Sequence, residues 1–212
     1  MTTPEQSSAI QFWDRVARKY AARPIGNSDA YEKTLDITRS HLKPTDSVLE
    51  IGCGTGSTAL LLAPDVAQYL ASDPAPQMVA IGREKALQAQ ISGLRNAQGA
   101  LGDPALGTGP YDAVLAYNLL HLLPDIPGDL AKIHALLAPG GVFLSKTGCI
   151  SGWRNIFRPI VGILRLFGKA PAINFISVAK LEQSIRQAGF DIIDACEPSG
   201  SPLGRLVVAR KI

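Results

Sequence analysis

Glu50 stands two residues before the first of three alternating glycines, Gly52, Gly54 and Gly56, in the stretch Val48-Leu49-Glu50-Ile51-Gly52-Cys53-Gly54-Thr55-Gly56. Alternating glycines remove the Cβ atoms that would block a tight turn or a ligand close to the backbone, so Gly52, Cys53 and Gly54 are expected to present main chain to that ligand. Strand-to-helix turns of this kind often hold phosphates, because helix amide dipoles favour negative charge. A carboxylate at Glu50 is a poor neighbour for pyrophosphate. It suits an ammonium or sulfonium group, since opposite charges attract most strongly where water is partly excluded. Asp73 closes a second apolar segment, Tyr69-Leu70-Ala71-Ser72-Asp73. Its distance from the glycine turn is that of an acid accepting hydrogen bonds from both hydroxyls of a ribose.

These residues need a scaffold, and the hydrophobic pattern supplies one. Val48 to Ile51 has strand chemistry and runs through the glycines into a helix. Tyr111 to Asn118 reads as a further strand, and Pro139-Gly140-Gly141 breaks a helix from the strand that follows it. Helices are expected at 7–22, 29–42, 75–90 and 177–188, with a weakly patterned strand near 95–101. Two final strands, Phe190 to Cys196 and Leu206 to Ala209, are joined by a segment without helical pattern, short enough for a hairpin. The whole predicts an α/β fold, a Rossmann-like, doubly wound, mostly parallel seven-stranded sheet with an antiparallel C-terminal strand and helices on both faces.

The spacing Glu-x-Gly-x-Gly-x-Gly, the acid Asp73 followed by Pro74 and Met78, the strand from Tyr111 to Asn118 and the Leu-x-Pro-Gly-Gly turn at Leu137 to Gly141 come in a fixed order. Together they resemble the class I S-adenosylmethionine-dependent methyltransferases, over roughly residues 48 to 147. The N-terminal helix, with Phe12-Trp13-Asp14, Ala17 and Tyr20, is similar to that of the small-molecule enzymes of the ubiquinone and menaquinone biosynthesis type. The resemblance implies S-adenosylmethionine as cofactor, Tyr20 near its methionine carboxylate, Asp73 at the ribose, Pro74 beside the cofactor and Met78 against the adenine. A helix-to-sheet packing role for Met78 stands beside that reading. Asn118 ends the fourth strand and His121 lies in the turn after it, where the carboxyl end faces cofactor and substrate. Such enzymes commonly carry an acid about a dozen residues before the aspartate that opens that strand, and this chain has Ala100 and Leu101 there. Asp103 is the nearest carboxylate.

Methyl transfer is an in-line displacement and needs no nucleophilic side chain or metal. For a hydroxyl or phenol acceptor a general base raises the rate, and His121 is placed for that, or merely finishes its loop. His41 and His134 fall in helical patterns and read as structural.

Composition limits the alternatives. The chain has 212 residues, 46% of them hydrophobic, which suits one domain with an ample core. Within it, 1–44 would form a helical cap, 45–147 the cofactor-binding core, 148–176 a lid-like insertion and 177–212 a closing helix and hairpin. The N-terminus lacks secretion-signal chemistry, no uncharged apolar run spans a bilayer, and a cytoplasmic location is expected. Cys53, Cys149 and Cys196 are widely spaced and support neither disulfides nor zinc. A net charge of +3 without a basic tract disfavours nucleic acid and points to a small-molecule acceptor. In the insertion, Arg154, Arg158, Arg165 and Lys169 would fall within about 60° of one another on a helix. That pattern suits a lid, a peripheral contact of 153–169 with an anionic membrane, or a solvated stripe on a half-buried helix. A non-catalytic cofactor-binding or membrane-associated module is the competing reading. A nicotinamide-dependent enzyme is disfavoured by Glu50 and the terminal hairpin.

Overall fold

The structure is a computed structural model that describes residues 4–149, 173–200 and 204–212. The proposed lid and membrane stripe at 153–169 lie outside the described residues. Two helices come first, α1 (Pro4–Ala21) and α2 (Ser28–Ser40), the second capped by Asn27, whose side chain accepts from Ala30 N. Strands and helices then alternate as β1 (Ser47–Ile51), α3 (Ser57–Leu62), β2 (Gln68–Asp73), α4 (Pro76–Ala89), β3 (Leu94–Gln98), β4 (Tyr111–Tyr117), α5 (Ile126–Leu136) and β5 (Leu137–Thr147). The chain closes with α6 (Val178–Gln187), β6 (Phe190–Cys196) and β7 (Arg205–Lys211).

The seven strands lie in the order β3-β2-β1-β4-β5-β7-β6. All pairings among β1 to β5 are parallel, and β7 runs antiparallel to both β5 and β6. The antiparallel strand predicted for the C-terminus is therefore not the edge, because the hairpin turns back and inserts β7 beside β5. That placement buries the apolar run Leu206 to Ala209. The direction of the crossovers reverses between β1 and β4, which opens a crevice above their carboxyl ends.

Each face of the sheet carries its own core. Leu49, Val114, Phe143, Leu181, Ile185 and Phe190 pack on the side of α5 and α6, and Leu35, Val48, Leu62, Leu115 and Leu144 on the side of α2 and α3. The Pro-Gly-Gly segment belongs to β5 rather than separating it from α5. Pairing with β4 starts at Tyr111 with Leu137, breaks across Pro139 to Gly141 and resumes at Ala113 with Val142. Gly140, at φ 74°, absorbs the extra residues.

Candidate functional site

Gly52, Gly54 and Gly56 have φ of 66°, 56° and 72°, the left-handed region that glycine enters without steric cost. They turn the chain from β1 into α3 directly over the crevice. A Cβ at Gly52 would lie 2.7 Å from Leu119 Cδ1, because the turn after β4 is packed on the turn after β1. A Cβ at Gly54 would meet Tyr20 Cε1 only at 3.9 Å. Gly52→Ala is therefore expected to lose more stability than Gly54→Ala. Backbone strain costs each about 1–3 kcal/mol, and the first must also displace Leu119. Urea unfolding of both variants checks the ranking, and equal midpoints would remove Leu119 from the account.

Asp73, at the carboxyl end of β2, fastens this turn. Its Oδ2 accepts from Gly54 N at 3.0 Å and its Oδ1 from Ala75 N at 2.8 Å, while Cys53 N donates to Ser72 O at 2.9 Å. Burial raises the Asp73 pKa, and the two backbone N–H groups oppose that rise. Glu50 is buried at 2% exposure with Oε2 accepting from the Tyr69 hydroxyl at 2.9 Å. Burial pushes its carboxyl up to about 8, the Tyr69 hydroxyl pulls it back, and the neighbouring Asp73 carboxylate adds to the rise. A cationic group beside Glu50 would restore the ionised form, which is the chemistry its position before the glycines suggests.

The helix α1 stands beside the turn. Tyr20 on α1 is 46% exposed, and the Trp13 ring meets it edge-on with centroids 5.9 Å apart. Met78 is 2% exposed and packs with Ala17, Ala75 and Ile81 between α1 and α4. Its packing is against α1, where the sequence offers packing on the sheet. Pro74 is half-buried between Asp73 and α4. Ala100 and Leu101 lie in the loop after β3, Leu101 against the core. Asp103 is exposed and caps the following short turn, its Oδ1 accepting from Ala105 N at 2.9 Å. Asn118 is exposed at φ 54°, and its N–H donates to Lys146 O at 2.6 Å. His121 lies in the short helical turn Leu120–Leu122 beyond it, its Nδ1 accepting from Gly148 N at 3.4 Å.

Some contacts that shape the site had no signal in the sequence. Asp14 Oδ1 on α1 accepts from Gln77 N at 2.6 Å, supplying the N-terminus of α4 with the cap that Ala75 cannot give. Lys85 Nζ donates to Thr55 Oγ1 at 3.2 Å and to Ser57 Oγ at 3.0 Å, tying α4 to the glycine turn. Tyr117 and Thr38 share a hydrogen bond between β4 and α2, close to the buried Glu50. Each partner is remote in sequence, and neither residue of a pair is unusual by itself.

Residues 49–143, from the first strand to the fifth, match the family model described as a methyltransferase domain. The matched stretch is just under half of the chain, and over it the chain is similar to methyltransferases. Among curated relatives, it is 27% identical over 151 residues to a demethylmenaquinone methyltransferase of Symbiobacterium thermophilum, covering 67% of this chain and 60% of that protein. It is 28% identical over 165 residues to a ubiquinone biosynthesis O-methyltransferase of Xanthomonas axonopodis pv. citri, covering 76% of this chain and 69% of that protein. The matched stretch thus spans between 60% and 69% of these two relatives' own length. The fold is also that of the [4+2]-cyclase SpnF, with a TM-score of 0.78 over 99% of this chain and 96% of that one at 19% identity.

Proposed function

We propose that the chain moves a methyl group from S-adenosylmethionine to a small, apolar acceptor by in-line displacement. The observation that carries this is the joint placement of Glu50, the glycine turn and Asp73 over the crevice between β1 and β4, with Asp73 bonded to Gly54 N at 3.0 Å. Asp73 would hold the ribose hydroxyls, Gly52 to Gly54 would offer main chain to the methionine moiety, and Glu50 and Tyr20 would face its charged ends. The pattern of charges suits a ligand that is cationic at one end and a nucleoside at the other. The cofactor would supply a methyl group on a sulfonium leaving group. The protein's share is to hold acceptor and methyl carbon in line at about 3 Å and to exclude water, which alone yields large rate gains. Two relatives named for quinone methylation make phenols and quinols the acceptors to screen first.

A second reading, a fold of this family used without methyl transfer, has two observations in its favour. The Asp103 carboxylate is engaged as a turn cap instead of waiting for adenine, and the same fold serves a cyclase. Calorimetric titration with S-adenosylhomocysteine, with NADH as control, tests the primary reading. Micromolar binding of the first alone is expected, and absence of binding would overturn it. Binding without methyl transfer to any of a panel of lipid-soluble phenols and quinols would favour the second.

A further inference from the structure

We propose that His121 serves the acceptor as a neutral hydrogen-bond donor through Nε2–H, and that the acceptor it fits is a phenol or enol bound as its anion. This rests on the methyl-transfer reading above and deepens it. An imidazole that accepts at one nitrogen while neutral carries its proton on the other. Nδ1 of His121 accepts from the backbone N–H of Gly148 at 3.4 Å, so Nε2 holds the proton. For Nε2 to act as a base, the proton would have to sit on Nδ1, which would set two N–H groups face to face at Gly148. That exchange loses a hydrogen bond and gains a repulsion, so the base role read from the sequence is disfavoured.

The turn that carries the ring is held in place. Leu120 is fully buried beside it, and Leu119 is packed on Gly52. The main-chain oxygen of His121 accepts from Asn174 N at 2.6 Å, and the Asn174 side-chain amide donates to Leu123 O. The turn is thus clamped between the end of β5 and the segment at 173–176. Burial alone lowers the His121 pKa, with no charged side chain contributing. An imidazolium would therefore have no carboxylate to stabilise it among the described residues, and Nε2 has no partner among them either.

A donor aimed at the acceptor oxygen favours its anionic form and lowers its pKa. The proton is then lost to solvent before reaction. The anion's electron pair forms the bond to the methyl carbon, the carbon–sulfur pair returns to sulfur, and the positive charge of the sulfonium cancels the negative charge of the acceptor. No base is required within the step.

Long-range 1H–15N spectra of the labelled protein read the tautomer directly. The chain has three histidines, and His121→Gln identifies the signals of His121 by their loss. A pyrrole-type Nε2 and a pyridine-type Nδ1 at neutral pH are expected. A proton on Nδ1, or an imidazolium at neutral pH, would overturn the proposal. The acceptor side is tested with 4-nitrophenol on protein saturated with S-adenosylhomocysteine, its ionisation followed by visible absorbance. Bound dye should ionise at lower pH than free dye. The shift should survive in His121→Gln, which keeps an N–H donor, and vanish in His121→Phe. No binding, no shift, or the same shift in His121→Phe would overturn the anionic acceptor. Failure to bind S-adenosylhomocysteine would strike the methyl-transfer reading instead and leave the tautomer measurement legible.

Discussion

Replacing Asp73 with alanine is expected to weaken S-adenosylhomocysteine binding by about 100-fold or more. Hydrogen bonds to a charged group contribute roughly 1.5–3 kcal/mol each, and about 1.4 kcal/mol is a factor of ten. Two ribose hydroxyls would lose their acceptor together. The loss has a second source in the free protein. Asp73 already accepts from Gly54 N and Ala75 N, so the substitution strands two backbone donors and removes one of the ties between the glycine turn and the end of β2. Asp73→Ala should therefore also lose stability, by about 1–3 kcal/mol for each donor left buried without a partner. Asp73→Asn keeps one acceptor oxygen and should fall between. The control is Asp103→Ala, which removes an exposed cap and should leave cofactor affinity nearly unchanged. Calorimetry and urea unfolding on the same three proteins read both effects. An unchanged dissociation constant in a folded Asp73→Ala protein would remove Asp73 from the site, and a large loss in Asp103→Ala would assign adenine to Asp103.

Asp73 also illustrates what a sequence can and cannot convey. Its type and its distance from the glycines are set by local rules, a strand end and a turn, so its place beside the glycine turn could be read from one stretch of chain. The alternation of strands and helices from Ser47 to Thr147 was legible for the same reason, most elements announcing themselves through their own periodicity, while β3 was weakly patterned and the Pro-Gly-Gly signal fell inside β5. The position of β7 between β5 and β6 was not. A hairpin fixes which strands are antiparallel, but only tertiary packing decides which of the two lies inside. Met78 shows the same limit within the site. Its spacing after Asp73 fits a residue against adenine, yet its burial beneath Ala17 depends on a helix some sixty residues earlier in the chain. His121 was found by position after β4, while its tautomer depends on Gly148, at the end of a different strand.

Glu50 carries the largest expected dependence on pH. Its carboxyl has an ordinary value of 4.5 and rises to about 8 in the folded chain, chiefly through burial. A raised carboxyl pKa means that the folded state holds a proton the unfolded state has lost. The resulting stabilisation is fully present below about 4.5 and disappears as pH rises through about 8. At about 1.4 kcal/mol per pKa unit, the free protein should lose at most a few kcal/mol across that window. Glu50→Gln mimics the protonated form and keeps an acceptor for the Tyr69 hydroxyl, so its stability should be flat where the parent declines. The cofactor is expected to reverse the preference, because an ammonium or sulfonium group beside Glu50 restores the carboxylate. Binding at pH 7 should then release close to one proton, detectable as a dependence of the calorimetric heat on the ionisation enthalpy of the buffer. Glu50→Gln should release none and bind about 10–100-fold more weakly, the loss of one desolvated charge pair. Heats independent of buffer in the parent protein would mean that Glu50 is either already ionised or never becomes so, and would sink its assignment as the partner of the cofactor's positive charge. Affinity that rises with pH up to about 8 and then levels in the parent, and stays flat in Glu50→Gln, would fix the proton on Glu50; the Tyr69 hydroxyl is raised well above its ordinary value of 10 and cannot titrate in that range.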